Sequence, residues 1–447
     1  MAETRESSSL HIVVFPWLAF GHITPFLELS VQLAKRGHAI SFVSTPRNIA
    51  RLRPIGPELA GRIRTVSLPL RSVEGLPEGA ESTADIPPEK AELLEVAFDG
   101  LAPHFSSFLD DACSGEDGSH KKPDCVIVDY AHHWLPPIAD QHKVPCALFF
   151  TFPASMITSF SSTKSPPYEA AMLAKSSEPN ASGISGTGRH RETAQQCQVA
   201  IFRTCDAFEG PLCPVLTEIF RKPALPSGML APLDATLQVE DADKDDEESA
   251  ALMRWLDCQP EGSALYVAFG SEAPLTRQHI REVTLGLELA GVPFLWALRK
   301  MSAELLPDGF EGPVSGRGLV HAGWVRQLRV LAHRAVGGFM THAGLNSLVE
   351  CLTFGHRMVL LPLFGDQGHN ARTMEERRVG LQVPRNEDDG SFDKEDVATT
   401  VRRVMVDEEG ELFARNAKEL QQVLRDSTRQ ERYIDELAVN MKQLGQH

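Results

Sequence analysis

Between Trp324 and Gln367 the chain reads WVRQLRVLAHRAVGGFMTHAGLNSLVECLTFGHRMVLLPLFGDQ, and its residue types suit the holding of a nucleotide sugar. Trp324, followed by Val325, offers a flat apolar face for a base. Ala335 to Thr341 is apolar, β-rich and glycine-containing, so it reads as a buried strand. Gly344 then turns the chain into a helical stretch through Leu352, with His342, Asn346 and Ser347 as donors where the helix begins. The first N–H groups of a helix have no partner within it and carry a partial positive charge, so such a corner binds phosphate without a metal. Glu350 can accept from ribose hydroxyls, and Asp366 and Gln367 can hydrogen-bond a sugar. A plain strand–turn–helix corner would account for the glycine and a capping serine. It would not account for the tryptophan, the glutamate and the Asp-Gln pair at their spacings.

A second constellation lies in the first half. His22 follows the apolar run His11 to Trp17, and Asp129 ends another, Val126-Ile127-Val128-Asp129. Strand ends of one parallel sheet share an edge, so an imidazole and a carboxylate can meet there. Imidazole titrates near neutral pH and suits removal of a proton from an attacking hydroxyl. A carboxylate behind it fixes the tautomer and stabilises the imidazolium. Either residue alone is more often a cap or a packed core group; beside a donor-type segment they read as a base and its partner. Other candidates carry less. Asp241-Ala242-Asp243 mimics an Asp-x-Asp metal motif but sits in an acidic run with no strand before it. His132 and His133 suit a pocket wall or packing better than a metal, and Gly186-Thr187-Gly188 is a weak fragment of a nucleotide motif.

The segment from Trp324 to Gln367 resembles the donor-binding signature of plant family 1 UDP-dependent glycosyltransferases, and the resemblance extends over nearly the whole chain. It implies that Trp324 stacks on uracil, that Gln327 contacts the uridine and that Glu350 holds the ribose. It implies that His342, Gly344, Asn346 and Ser347, with Ser271 after Gly270, hold the diphosphate, and that Leu345, Asp366 and Gln367 lie at the sugar. Gln367 favours UDP-glucose. The resemblance also implies that His22 is a general base steadied by Asp129 in an inverting reaction, with no metal and no cofactor beyond the UDP-sugar itself. The runs PWLAFGHITPFLELS, FVSTPRNIARL and GLPEGAESTADIP are similar to the branch that extends sugars already attached to small molecules, often through a 1,2 linkage on flavonoid or diterpenoid (steviol-type) glycosides. Trp17, Phe20, His133, Trp134 and Phe152, near strand ends, are candidate walls for that acceptor. The chain departs from the family at Ala343, Leu345 and Arg326, where Cys, Trp and Pro are usual. Leu345 is expected to leave room beside the sugar, so that Leu345→Trp would raise turnover. These departures also motivate the alternative of a non-catalytic glycoside or nucleotide-sugar binder.

These residues need elements to position them. The 447 residues allow two domains, and the rhythm of apolar runs and helical stretches predicts doubly wound parallel sheets. In the first half, strands are expected at His11–Trp17, Ile40–Ser44, Ile63–Leu68, Cys125–Asp129, Cys146–Thr151 and Val199–Arg203, with helices over Ile23–Arg36 and Glu92–Ala112. Ser161 to Gln196, rich in Ser, Gly, Pro and Lys, reads as a long mobile loop. The expectation is two facing Rossmann-like domains of the GT-B kind. Residues 1–232 would bind the acceptor and 249–429 the UDP-sugar, with an acidic linker over 233–248 and a last helix in 430–447 packing back on the first domain. A formal charge of −16, from 60 acidic and 44 basic residues, argues against a nucleic-acid partner. A single glycine between Trp17 and His22 argues against a dinucleotide-dependent oxidoreductase, which needs Gly-x-Gly-x-x-Gly there. The polar start MAETRESSS has no apolar signal region and no stretch is long enough to span a membrane, so a cytoplasmic protein with reduced cysteines is expected, and a monomer is expected as well.

Overall fold

The computed structural model describes residues 9–115, 122–159, 165–232, 247–270, 272–299 and 303–444. Most of the acidic linker, including Asp241-Ala242-Asp243, lies outside them.

Short runs of apolar residues buried on both sides are what an all-parallel sheet covered by helices requires. The first half holds β1 (His11–Phe15), β2 (Ala39–Ser44), β3 (Ile63–Ser67), β4 (Cys125–Val128), β5 (Cys146–Phe150), β6 (Val199–Phe202) and β7 (Ala224–Pro226). They form one sheet in the order β3-β2-β1-β4-β5-β6-β7, with neighbouring strands parallel. The second half holds β8 (Ala264–Ala268), β9 (Phe294–Leu298), β10 (Gly318–Ala322), β11 (Val336–Thr341), β12 (Arg357–Leu360) and β13 (Gly380–Gln382). Their order is β10-β9-β8-β11-β12-β13, again parallel throughout. In each sheet the strand order reverses once beside the first strand, between β1 and β4 and between β8 and β11. A doubly wound sheet opens a crevice for ligands at that reversal, beyond the carboxyl ends of the strands.

The chain divides into two compact units. One comprises the sheet β1–β7 with the chain from Thr428 onward; the other comprises the sheet β8–β13 and also takes the described residues of 162–173. The first unit packs apolar side chains on both faces of its sheet. One face meets Phe98, Phe105 and Leu109. The other receives Ile434, Leu437, Ala438 and Met441 from the helix Ser427–Leu444.

Three expectations change. The helix expected over Glu92–Ala112 is two, Ala91–Asp99 and Ala102–Ser114, broken at Gly100-Leu101. The first helix starts at Phe20, ahead of the expected Ile23, and so takes His22 into its opening turn. The stretch Ser161–Gln196 is not a continuous loop, because it contains helices Pro167–Ser176 and Gly186–Gln196. Gly186-Thr187-Gly188 is the first turn of the second of these, and the Ser185 hydroxyl caps it by accepting from the Gly188 N–H at 3.0 Å. Among the described residues no helix is long and apolar enough to cross a membrane, and the eight cysteines are free thiols.

Candidate active site

β1 and β4 are neighbours at the strand-order reversal, and the two sequence-predicted residues sit just past their ends. His22 Nδ1 lies 2.8 Å from Asp129 Oδ2. The carboxylate is only 2 % exposed and is otherwise fully engaged: Oδ2 accepts the Trp17 N–H at 3.0 Å and Oδ1 the Tyr130 N–H at 2.7 Å. Burial pushes the Asp129 carboxyl upward, but the His22 imidazole and the Trp17 N–H outweigh it and hold the group below its ordinary range. Asp129 is therefore an anion at neutral pH, and the bond fixes the imidazole with its Nδ1 proton toward the carboxylate. Proton exchange with a substrate then falls to Nε2. Thr151, just past β5, brings its hydroxyl within 3.2 Å of the same Nδ1. Nothing in the sequence marks this third group, because a threonine at a strand end has no distinctive pattern.

The expected acceptor walls divide. Trp17 is 4 % exposed and packs edge-on to Phe98 at 4.9 Å, a core position. Trp134 lies against Phe98 and Phe105 at 5.6 and 6.1 Å, with its indole nitrogen buried. Trp17 belongs to the packing under the site, while Trp134 packs against that core and is only partly buried. His133 sits 3.4 Å from the buried Arg189 guanidinium, which Asp99 holds with two bonds of 2.7 and 2.6 Å. Phe20 is partly buried, with the Arg51 guanidinium 5.9 Å from its ring. Phe152 meets His190 edge-on at 5.5 Å, His190 meets Tyr130 at 5.9 Å, and Tyr130 lies 5.6 Å from the His22 ring. Tyr130 thus stands beside His22 with His190 behind it and Phe152 behind that, and two of the three were not anticipated. His132 is core: its ring lies between Phe15 and Phe98 at 4.7 and 4.8 Å.

Burial drives His132, His190 and His342 down to about 4 from 6.5. An unfolded chain protonates these rings below pH 6.5 while the folded one does not, so stability is fully present above 6.5 and is lost as pH falls toward 4. His132 alone would account for on the order of 3 kcal/mol across that window. Scanning calorimetry from pH 7.5 to 5 is expected to show a falling Tm; a flat profile would mean these rings are not held neutral.

The second sheet repeats the geometry. Gly270 follows β8 with φ 75°, and an added Cβ there would come within 3.0 Å of His342 Cε1, just past β11. A Cβ on Gly344 would stand 2.6 Å from His342 Nε2. The imidazole is therefore wedged between two glycines, which explains both. Ser271 lies outside the described residues. Gly344 is the N-cap of the helix Leu345–Phe354, and no side chain caps it. Its first N–H groups, beside Asn346 and Ser347, are thus oriented as an anion site. Ala343 holds φ 65° in this turn without being glycine, a conformation that tolerates a small side chain at some cost.

Trp324 is 83 % exposed, the flat face required for a base, while Val325 is buried at 8 %. Gln327 opens the helix Gln327–Leu331 and donates through Nε2 to Glu350 Oε2 at 2.5 Å. Its carbonyl oxygen accepts from the Tyr266 hydroxyl at 3.4 Å. Burial pushes the Tyr266 phenol up, so it stays a donor. Past β12, Gln367 opens the helix Gln367–Glu376, and its carbonyl oxygen accepts the Leu363 and Phe364 N–H groups at 2.8 and 3.1 Å. These two bonds fix the amide with its oxygen toward the backbone of Leu363 and Phe364. Asn370, which the sequence did not single out, donates to both the Ala343 carbonyl and Asp366 Oδ2 at 2.9 Å. One side chain therefore ties the turn at Ala343 to Asp366.

Leu345 is 5 % exposed. At that burial an indole is larger than the side chain it would replace, and overpacking a buried position is costly. Leu345→Trp is accordingly expected to lower turnover and donor affinity, the reverse of the gain expected from the family pattern. Steady-state kinetics on the single variant would test this, and a gain would show that the packing yields.

Comparison with known proteins gives a consistent picture. A family model described as UDP-glucoronosyl and UDP-glucosyl transferase matches residues 228–431. UDP-glycosyltransferase 91C1 of Arabidopsis thaliana is 38 % identical over 100 % of this chain and 99 % of its own. Anthocyanidin-3-O-glucoside rhamnosyltransferase of Petunia hybrida is 34 % identical over 98 % of this chain and 97 % of its own. The crystal structure of Arabidopsis thaliana UGT89C1 superposes with a TM-score of 0.75, covering 97 % of this chain and 100 % of that one at 24 % identity, a likeness of fold.

Proposed function

Because this chain belongs to the plant family 1 UDP-glycosyltransferases, with the GT-B fold and in the branch that extends existing sugars, we propose that it transfers glucose from UDP-glucose to a sugar hydroxyl of a small-molecule glycoside. In this reading the acceptor hydroxyl gives its proton to His22 Nε2 as its oxygen attacks the anomeric carbon. A new C–O bond forms, the bond to the diphosphate breaks, and UDP leaves with the electron pair. Asp129 stabilises the imidazolium through the 2.8 Å bond that carries the proposal. One displacement inverts the centre, so an α-linked donor gives a β-glycoside. Charge developing on the departing phosphate meets the N-terminus of Leu345–Phe354, and the reading requires no metal.

For the donor, Gln367 is the residue that favours glucose, while the Petunia relative is named for rhamnosyl transfer. That same name has an anthocyanidin glucoside as the acceptor, which supports a glycoside here. A diterpenoid of the steviol type or a flavonoid glycoside, glucosylated through a 1,2 linkage, is the proposed acceptor. The enzyme is read as a cytoplasmic monomer. UDP release should be measured with UDP-glucose, UDP-rhamnose and UDP-xylose against steviol and flavonoid glycosides and their aglycones, and the product linkage determined by NMR. Preference for an aglycone, or for a donor other than UDP-glucose, would overturn the corresponding half of the reading.

A further inference from the structure

The turn that carries Asp366 and Gln367 is gripped from two sides by residues remote in sequence. Glu169, in the helix Pro167–Ser176, presents both carboxylate oxygens to Arg372, at 2.9 Å to Nη1 and 2.9 Å to Nη2. The pair is only 24 % and 18 % exposed, so a fork of this geometry is more than a solvated surface contact. Arg372 lies one helical turn beyond Gly368, the residue next to Gln367. A Cβ on Gly368 would stand 2.2 Å from Glu169 Oε1, so the carboxylate occupies the space of a missing side chain directly beside the sugar contact.

Tyr168 makes the second grip. Its hydroxyl lies 3.2 Å from Glu169 Oε1, and its ring faces the Arg385 guanidinium at 4.8 Å. Gly390, at φ 71°, leaves a recess that a Cβ would fill to within 3.0 Å of the Tyr168 ring. Arg385 in turn donates to the Gly390 carbonyl at 2.6 Å and to the Pro362 carbonyl. Pro362 precedes Leu363 and Phe364, whose N–H groups hold Gln367 Oε1. Arg372 thus anchors the chain after the sugar contacts and Arg385 the chain before them, and both are engaged by adjacent residues of one helix.

We propose that Tyr168 and Glu169 form a strap that fixes the turn carrying Asp366 and Gln367, which makes Glu169 a positioning residue for recognition of the donor sugar. This rests on the reading of Asp366 and Gln367 as sugar contacts. The strap touches neither the base nor the ribose side of the site, so its loss acts on UDP-glucose and not on UDP.

Glu169→Gln keeps the shape and removes the charge. Its KM for UDP-glucose is expected to rise roughly tenfold, equivalent to about 1.4 kcal/mol. Calorimetric affinity for UDP should stay within about twofold, and the KM for acceptor should be unchanged. Because the two charges act as one unit, Glu169→Gln combined with Arg372→Gln should lose no more than either alone. An unchanged KM for UDP-glucose, an equal fall in UDP affinity, or additive losses would each overturn the proposal. Asp366→Ala run in parallel separates the two levels. If it raises KM and Glu169→Gln does not, the strap alone fails; if it leaves KM unchanged, the sugar-site reading beneath it fails.

Discussion

His22→Ala is expected to lower turnover by roughly 100-fold or more, the usual contribution of a positioned base. UDP affinity and the thermal transition should change little, because His22 lies in the first unit and its side chain is 25 % exposed. The companion Asp129→Asn is more informative. The amide keeps the shape but presents an NH2 or a neutral oxygen to Nδ1, so it neither fixes the tautomer nor stabilises the imidazolium. Asp129→Asn should therefore approach the loss seen in His22→Ala, and the double variant should lose little more than the worse single. Asp129 also accepts the Trp17 and Tyr130 N–H groups, so its variants need a folding control that His22→Ala does not. Near-normal turnover in His22→Ala would remove the imidazole from the mechanism.

The second large effect is expected at the nucleotide. Glu350→Ala removes the acceptor assigned to the ribose hydroxyls and strands the Gln327 amide that now donates to it at 2.5 Å. A lost hydrogen bond to a charged group in such a site costs about 1–3 kcal/mol, or roughly 5- to 150-fold in UDP affinity. Titration calorimetry with UDP alone reads this directly, since the sugar plays no part. Gln327→Ala should show a smaller loss, because Glu350 keeps its charge and loses only the partner that orients it. Unchanged UDP affinity in Glu350→Ala would relocate the ribose site.

Several of these positions were legible in the sequence because their signals were local. A strand, a glycine turn and a helix start occupy consecutive residues from Val336 to Phe354, and an apolar run of four to five residues marks each central strand. The pairing of His22 with Asp129 was legible for a different reason: two strand ends on one sheet share an edge whatever the intervening chain does. What escaped were roles fixed only by distance. Asn370 reads as an ordinary polar residue of a helix until the Ala343 carbonyl is seen beside it. Trp17 shows the converse, since an aromatic near a strand end has the same sequence whether it turns into the core or into a pocket. The helices within Ser161–Gln196 were missed because neither is held mainly by apolar periodicity. Pro167–Ser176 buries none of its residues, and Gly186–Gln196 is anchored by Arg189 bonded to Asp99.

The first unit is built from chain that is not contiguous. One face of its sheet is covered by Ile23, Phe26 and Leu27 of the helix Phe20–Lys35 together with Ile434, Leu437, Ala438 and Met441, which come from beyond the second sheet in the chain. On a ribosome, β1 to β7 emerge first, yet the part of that face under the helix Ser427–Leu444 stays uncovered while the whole second sheet is synthesised. The second sheet is under no such delay, since its strands and their covering helices follow one another without a gap. Synthesis order and completion order are thus inverted: the half made first is the half finished last. A protease cut or a substitution that disturbs the helix Ser427–Leu444 would act on the half of the molecule that holds His22, although His22 itself lies in the helix Phe20–Lys35.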